Sequence, residues 1–542
     1  MRMAQELITL APEFHTTTTN SLRDSPRASG ADSSPSLGRP YKALVFVNLG
    51  GGVDSFNVLV PHSNCVNASG GAHDLYEEYK AVRGEVIALP KDTLRTLDAT
   101  GSHQVCGTFG VHPVYKTVHD LYRQERPEAA FIANVGPLVE PTSQEAYRRR
   151  KEKGVIRLPP GLFGALQERH SHSMDVCSSP PYRCRPPPNH NPIATAQSSP
   201  PHRRRAMPPR RPRSPCLITF PICAPVSFDC TAHNVQQKVV QVVHAQETQR
   251  AKGIIGRLLK QLNKPSPSGQ PKFSVASYST SGSAKILEGG PSRPYVLPRS
   301  GDPLEYNRRV ALRAEVANLT GTESGSIFAE SFAEVLETSI ADTVKLRDAL
   351  QQPLSQTYSG GIAPQMKQVA KVIKAQRNGV LATEREAFYV SQGGFDSHYT
   401  TLTDGKLAQI ENGLAPFVAE MKALGMWDNV TVVVSSEFGR TLTWNGRGTD
   451  HGWGGNTFLM GGQVRGGVIH GKFPTSLGNQ HELSAGRGRI IPTTSWESVW
   501  HGLGEWLGLE EEGLHAVLPN LKNFQGCTGT GCGVLTAQEM FR

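Results

Sequence analysis

Leu44-Val-Phe-Val-Asn-Leu49 runs straight into Gly50-Gly51-Gly52-Val53-Asp54. An apolar run without alternation reads as a strand buried on both faces, and the glycines supply the turn at its carboxyl end. Asp54 comes just after that turn. The same pattern recurs. Ala129-Ala-Phe-Ile-Ala-Asn-Val135 precedes Gly136-Pro137, Ala387-Phe-Tyr-Val390 precedes Gly393-Gly394, and Val430-Thr-Val-Val-Val434 leads into Ser435-Ser-Glu437. Between them lie helical stretches. Leu407, Ile410, Leu414, Phe417 and Met421 recur every three or four residues just ahead of the Val430 run, a helix-then-strand crossover unit. Further helices are predicted near Asn307 to Leu319, Ser326 to Gln351 and Ser495 to Leu507. Such units build an α/β fold, a three-layer α/β/α sandwich with a mostly parallel sheet. Ligands bind beyond the carboxyl ends of its strands.

Composition narrows the function classes. The 542 residues are 38% hydrophobic, enough for a large buried core, and no window offers the ~18 uninterrupted apolar residues of a membrane span. The formal charge of +10 is unevenly placed: Gly164 to Thr231 holds nine arginines against three acids and 14 of the 39 prolines. The remainder is nearly balanced, so a nucleic-acid-binding fold is not expected. The first 40 residues contain Glu6, Glu13 and a Thr/Ser/Pro-rich run from Thr16 to Pro40, with no apolar leader. Outside the basic stretch the cysteines fall into two local pairs, Cys65 with Cys106 and Cys527 with Cys532, which could each close a disulfide or remain reduced thiols.

Residues able to carry chemistry gather at the strand ends. Asp396 and His398, two apart in Gln392-Gly-Gly-Phe-Asp-Ser-His398, offer a hard oxygen and a nitrogen to a divalent cation. A lone Asp-x-His is more often a helix cap beside a surface histidine. Glu437 would be presented by a strand tip, or pair with Arg440 as a structural ion pair. Gly448-Thr-Asp450-His451-Gly-Trp-Gly-Gly455-Asn456 is sharper, because an Asp-His step within so many glycines implies close backbone approach around something.

Taken together and in order, these residues resemble the metal constellation of the alkaline phosphatase and sulfatase superfamily. More closely they resemble the domain of unknown function 1501 family, a largely bacterial and often exported group. The match rests on Leu49 to Pro61, Phe109-Gly-Val-His112-Pro113, Gly393 to His398, Ser436 to Thr441, Gly448 to Asn456, Gly461-Gly462 and His470-Gly471, and spans about residues 42–163 and 232–525. The resemblance implies that Asp54, Asp396, His398, Glu437, Asp450 and His451 surround a divalent metal ion, whether zinc, magnesium, manganese or calcium. His112 and His233 would be further ligands, with a histidine capping a helix the plainer reading of His112, and Asn456 a binding residue. It further implies hydrolysis of phosphate or sulfate esters on a small molecule or glycan, with Arg440 holding a substrate oxygen. Phosphatase-type members space the central Asp and His four apart and follow the strand-end acid with His, whereas here the spacing is two and Phe438 follows Glu437. The nucleophile is less plain. Ala232 stands before His233 where Ser-His is expected, and Thr142, Ser143, Ser171 and Ser173 are the alternatives. A metal-stabilised binding protein of the same fold needs no nucleophile and explains much of the same sequence. Paired cysteines and the family's frequent export favour a secreted or other non-cytosolic location.

The chain thus divides into a disordered N-terminal segment (1–41), the two parts of one alkaline-phosphatase-like domain (42–163 and 232–525), an intervening disordered Pro/Arg/Ser-rich insert (164–231) and a C-terminal tail (526–542). The insert carries no apolar period of two or 3.6 and cannot bury enough surface to fold. It reads as a basic linker, a nucleic-acid-binding arm or translated intron. The last is favoured, because composition changes abruptly at both ends while Leu158-Pro-Pro-Gly-Leu-Phe163 and Ala232-His-Asn234 join sensibly. Transcript sequencing across the junction is expected to find a message lacking this segment; a spliced message encoding all of it would contradict the intron reading.

Overall fold

Seven consecutive residues of the strand Lys42–Gly50 (β1), from Ala43 to Leu49, are buried, because side chains on both of its faces meet helices. Ala43, Val45, Val47 and Leu49 join one core cluster, and Leu44 and Phe46 join the other. The computed structural model describes residues 22–26, 38–160, 162, 229–246, 251–265, 272–301, 316, 318, 320–400, 404–478 and 481–542. The predicted helix at Asn307 to Leu319, most of the Pro/Arg-rich stretch, and Ser171 and Ser173 lie largely or wholly outside these residues. A short strand, Leu22–Pro26, pairs antiparallel with Thr322–Ser324.

Eight further strands complete the central sheet: Ala129–Gly136 (β2), Val275–Ser279 (β3), Tyr295–Val296 (β4), Arg385–Gly393 (β5), Val430–Ser435 (β6), Gly455–Met460 (β7), Ile469–Gly471 (β8) and Thr494–Ser495 (β9). Their order is β8-β2-β7-β6-β1-β5-β3-β4, with β9 added beside β2. β1 is parallel to both neighbours, and only β7 runs against the strands beside it. One face is covered by helices Ala363–Arg377 and Asp404–Ala423, through Ile362, Met366, Val369, Ile373 and the predicted row Leu407, Ile410, Leu414, Phe417 and Met421. The other face is covered by Ile254–Leu262 and Trp496–Leu507 through Ile255, Leu258, Leu259, Trp500 and Leu503. This is the α/β three-layer arrangement with a mostly parallel sheet.

Helix limits follow their caps. Ser326 opens Ile327–Leu350 by accepting the Ala329 amide at 3.4 Å, and Ser495 opens Trp496–Leu507 by accepting that of Ser498 at 3.0 Å. A separate antiparallel sheet pairs Cys106–Val111 with Leu59–Val66 and Arg95–Asp98. Cys65 faces Cys106 in that register and is bonded to it; Cys527 and Cys532 form the second disulfide.

β5 opens on a buried acid. Glu386 accepts hydrogen bonds from Tyr41 at 2.6 Å and Tyr278 at 3.2 Å and a further one from Thr383, yet burial outweighs them and pushes its carboxyl up to about 7. A carboxyl whose pKa rises on folding holds its proton more tightly in the folded chain. That stabilisation is complete below its ordinary value of 4.5 and is lost as pH rises through about 7. Thermal melts are therefore expected to fall between pH 5 and 8, by roughly 2–3 kcal/mol of stability for this group. Glu386→Gln should flatten the slope; an unchanged slope would show that Glu386 does not set it.

Candidate metal centre

Gly393 at the end of β5 lies in register with Gly50 at the end of β1, so the loops leaving the two strands start side by side. The Phe395 amide donates to the Gly50 carbonyl at 3.1 Å and its ring is fully buried, leaving the next residue, Asp396, turned outward. Gly51 has φ +122°, and a Cβ there would stand 2.3 Å from the Asp396 amide nitrogen. Only glycine permits this approach. The third loop arrives the same way: the Thr449 amide donates to the Ser397 carbonyl at 3.0 Å, and a side chain on Gly448 would meet that carbonyl at 1.9 Å. The short hairpin of Arg440–Trp444 and Thr449–His451 then delivers Asp450 and His451 beside His398.

Three donor atoms converge. Asp396, His398 and His451 each contribute one ligand atom within 4.8 Å of the others. Asp396 Oδ1 stands 3.2 Å from His398 Nε2 and 3.4 Å from His451 Nε2, and the two ring nitrogens face each other at 2.9 Å. On its far side, His398 Nδ1 lies 3.1 Å from Asp450 Oδ1, which also accepts from Asn445 Nδ2 at 2.9 Å. A carboxylate on Nδ1 fixes that nitrogen as the donor and leaves the Nε2 lone pair toward the cluster, as in histidine ligands oriented from behind. The His451 ring packs 4.6 Å from that of Phe438, and its carbonyl accepts from Arg489 Nε at 3.1 Å.

The electrostatics suit a cation. Burial alone would raise the Asp396 carboxyl, but the hydrogen bond from His451 and the charge of the Arg440 guanidinium hold it well below the usual carboxylate range. The bond to His398 brings Asp450 down to about 2. Both acids stay ionised. Two imidazole nitrogens and a carboxylate oxygen form a donor set that fits zinc or a similar divalent ion.

The other residues singled out in the sequence stand around this cluster in different ways. The Arg440 guanidinium is fully buried and donates to the Gly51 carbonyl at 2.8 Å, to Asp396 at 3.0 Å and to the Thr449 carbonyl and hydroxyl. Glu437 is 1% exposed and accepts the Gly51 amide at 2.8 Å and the Gly52 amide at 3.4 Å, clasping the glycine turn. Asp54 forms a buried ion pair with Arg83, a residue the sequence pattern does not flag, and its Oδ1 has no hydrogen-bond partner among the described residues. Asn456 links β7 to Ser55 and to β2, accepting the Asn134 amide at 3.0 Å. His112 is buried against Asp404 at 3.2 Å. Thr142 donates to the Glu140 carbonyl at 3.0 Å, and Ser143 caps helix Gln144–Arg148. His233 belongs to helix Asp229–Val242, with its side chain outside the described residues. A small pocket with about 10 Å³ of room is lined by Glu437 together with Ser435, Ser436, Asn456 and Thr457. That is room for one water, and the pocket does not include the three donors.

No curated protein matches this chain. Among solved structures, that described as Ps i-CgsB is 13% identical with a TM-score of 0.24, covering 54% of this chain and 62% of that one. The chain thus spans under two thirds of that protein. The lipoteichoic acid synthase LtaP from Listeria monocytogenes is 9% identical with a TM-score of 0.28, covering 96% of this chain and 81% of that one. The model of the family described as protein of unknown function (DUF1501) matches residues 305–485, the stretch that carries Asp396, His398, Glu437, Arg440, Asp450 and His451, and supports over that stretch the family resemblance read from the sequence.

Proposed function

We propose that the chain is a divalent-metal-dependent hydrolase of phosphate or sulfate esters carried by a small molecule or glycan. The observation that supports this most is the convergence of Asp396, His398 and His451, with Asp450 orienting one of the two imidazoles. A divalent ion held there would polarise an ester oxygen and lower the pKa of bound water. The chain's own residues do the positioning. Arg440, its donors taken by Gly51, Asp396 and Thr449, fixes the Asp396 carboxylate. Glu437 shapes the turn that supplies the Gly51 carbonyl to Arg440. The exposed rings of Tyr399 and Trp444 adjoin His398 and Asn445 in sequence and offer flat apolar surface to a sugar or aryl group.

A second reading, a metal-stabilised binding protein, is favoured by one observation. Of the proposed nucleophiles, Thr142 donates its hydroxyl to a carbonyl and Ser143 uses its own as a helix cap. The two readings part in a direct assay. The metal-loaded protein is expected to hydrolyse an aryl phosphate, an aryl sulfate or a phosphodiester, and Asp396→Ala to reduce that rate to background. Equal background rates in both proteins would leave the binding reading.

Metal affinity gives a separate check. Asp450→Asn keeps the shape beside His398 but removes the charge, and should weaken zinc binding by about 10–100-fold in calorimetric titration. Unchanged affinity would place the ion elsewhere.

A further inference from the structure

The chain carries three Asn-x-Ser/Thr triplets, at Asn67-Ala-Ser69, Asn318-Leu-Thr320 and Asn429-Val-Thr431. This pattern is the acceptor signal for N-linked glycosylation, and it operates only on an accessible loop. The fold treats the three differently. Asn429 is half-buried with its Nδ2 already donating to the Tyr41 carbonyl at 2.9 Å, and Thr431 is fully buried within β6. Asn318 is exposed, but Thr320 is 1% exposed, with its hydroxyl donating to the Val316 carbonyl at 2.9 Å. Asn67, Ala68, Ser69 and Gly70 are all exposed, in the turn joining Leu59–Val66 to Ala72–His73.

That turn is also shaped for the reaction. Asn67 Oδ1 accepts the Ser69 amide at 3.0 Å and the Gly71 amide at 2.9 Å, and the Asn67 amide donates to the Gly71 carbonyl at 2.8 Å. This is an Asx-turn. Hydrogen bonds accepted at Oδ1 draw the carboxamide into one orientation and leave Nδ2 as the atom presented to a reagent. Two residues before Asn67 stands the Cys65–Cys106 disulfide, and Cys527–Cys532 is a second. Disulfides persist in oxidising compartments, where oligosaccharide transfer to asparagine also takes place.

We propose that Asn67 is an N-glycosylation site, made during passage through an oxidising, non-cytosolic compartment. The donor is a lipid-pyrophosphate-linked oligosaccharide. Asn67 Nδ2 attacks the anomeric carbon, one C–N bond forms and one C–O bond breaks. The amide gives up one proton, and the lipid pyrophosphate departs with the bonding electron pair. Oxidation states do not change. The glycan stands on the small antiparallel sheet, and the site is independent of the metal centre.

The test uses the full chain isolated from the cells that make it, treated with peptide N-glycosidase in heavy-oxygen water and read by peptide mass spectrometry. Residue 67 is expected as heavy-labelled aspartate. In the same cells, Asn67→Gln and Ser69→Ala should each abolish the glycosidase-sensitive mobility shift, while Asn429→Gln leaves it unchanged. Native peptides carrying unmodified Asn67, or label confined to Asn318 or Asn429, would overturn the proposal.

Discussion

Arg440 ties the three loops of the candidate centre together. A guanidinium with no exposed surface must have its charge and donors satisfied by protein, since an unpaired buried charge costs several kcal/mol. It finds them in the Gly51 carbonyl after β1, the Asp396 carboxylate after β5 and the Thr449 carbonyl of the hairpin. Each acceptor comes from a different stretch of chain, so satisfying one side chain sets the mutual distances of all three. Glu437 holds the Gly51 and Gly52 amides of the first loop. The donor triad is a consequence of this framework. Asp396 is aimed by Arg440, His398 by Asp450, and His451 by the hairpin and the Phe438 ring.

Much of this was legible in the sequence, for identifiable reasons. The strands β1, β2, β5 and β6 are continuous apolar runs, a signal that depends on local composition alone, and the row from Leu407 to Met421 shows its helical period directly. Asp396, His398 and His451 lie beyond strand ends or among glycines, where function concentrates in such folds. The division of labour among the acids was not legible. Asp54 pairs with Arg83, and Glu437 takes backbone amides nearly four hundred residues earlier in the chain. No spacing rule reports such long-range partners. The reversed direction of β7 is hidden for a similar reason, because Gly455–Met460 emerges from the same glycine-rich loop that carries Asp450 and His451.

The cysteines show the converse case. Cys65 and Cys106 are 41 residues apart, yet they occupy facing positions of one antiparallel ladder, so the local pairing suggested by their numbers coincides with strand register. The hydroxyls at 142 and 143 show a second use of their residue type: a Ser or Thr at a turn is as readily a cap as a nucleophile, and here both hydroxyls hydrogen-bond the backbone.

Two imidazoles 2.9 Å apart, with a carboxylate against both, make up the candidate cation site. Anomalous diffraction from crystals of the full chain grown with zinc tests it most directly. A zinc peak bonded to Asp396 Oδ1, His398 Nε2 and His451 Nε2 is expected, with the two rings moved apart to admit it. A zinc peak elsewhere, with His398 and His451 still in contact, would contradict it.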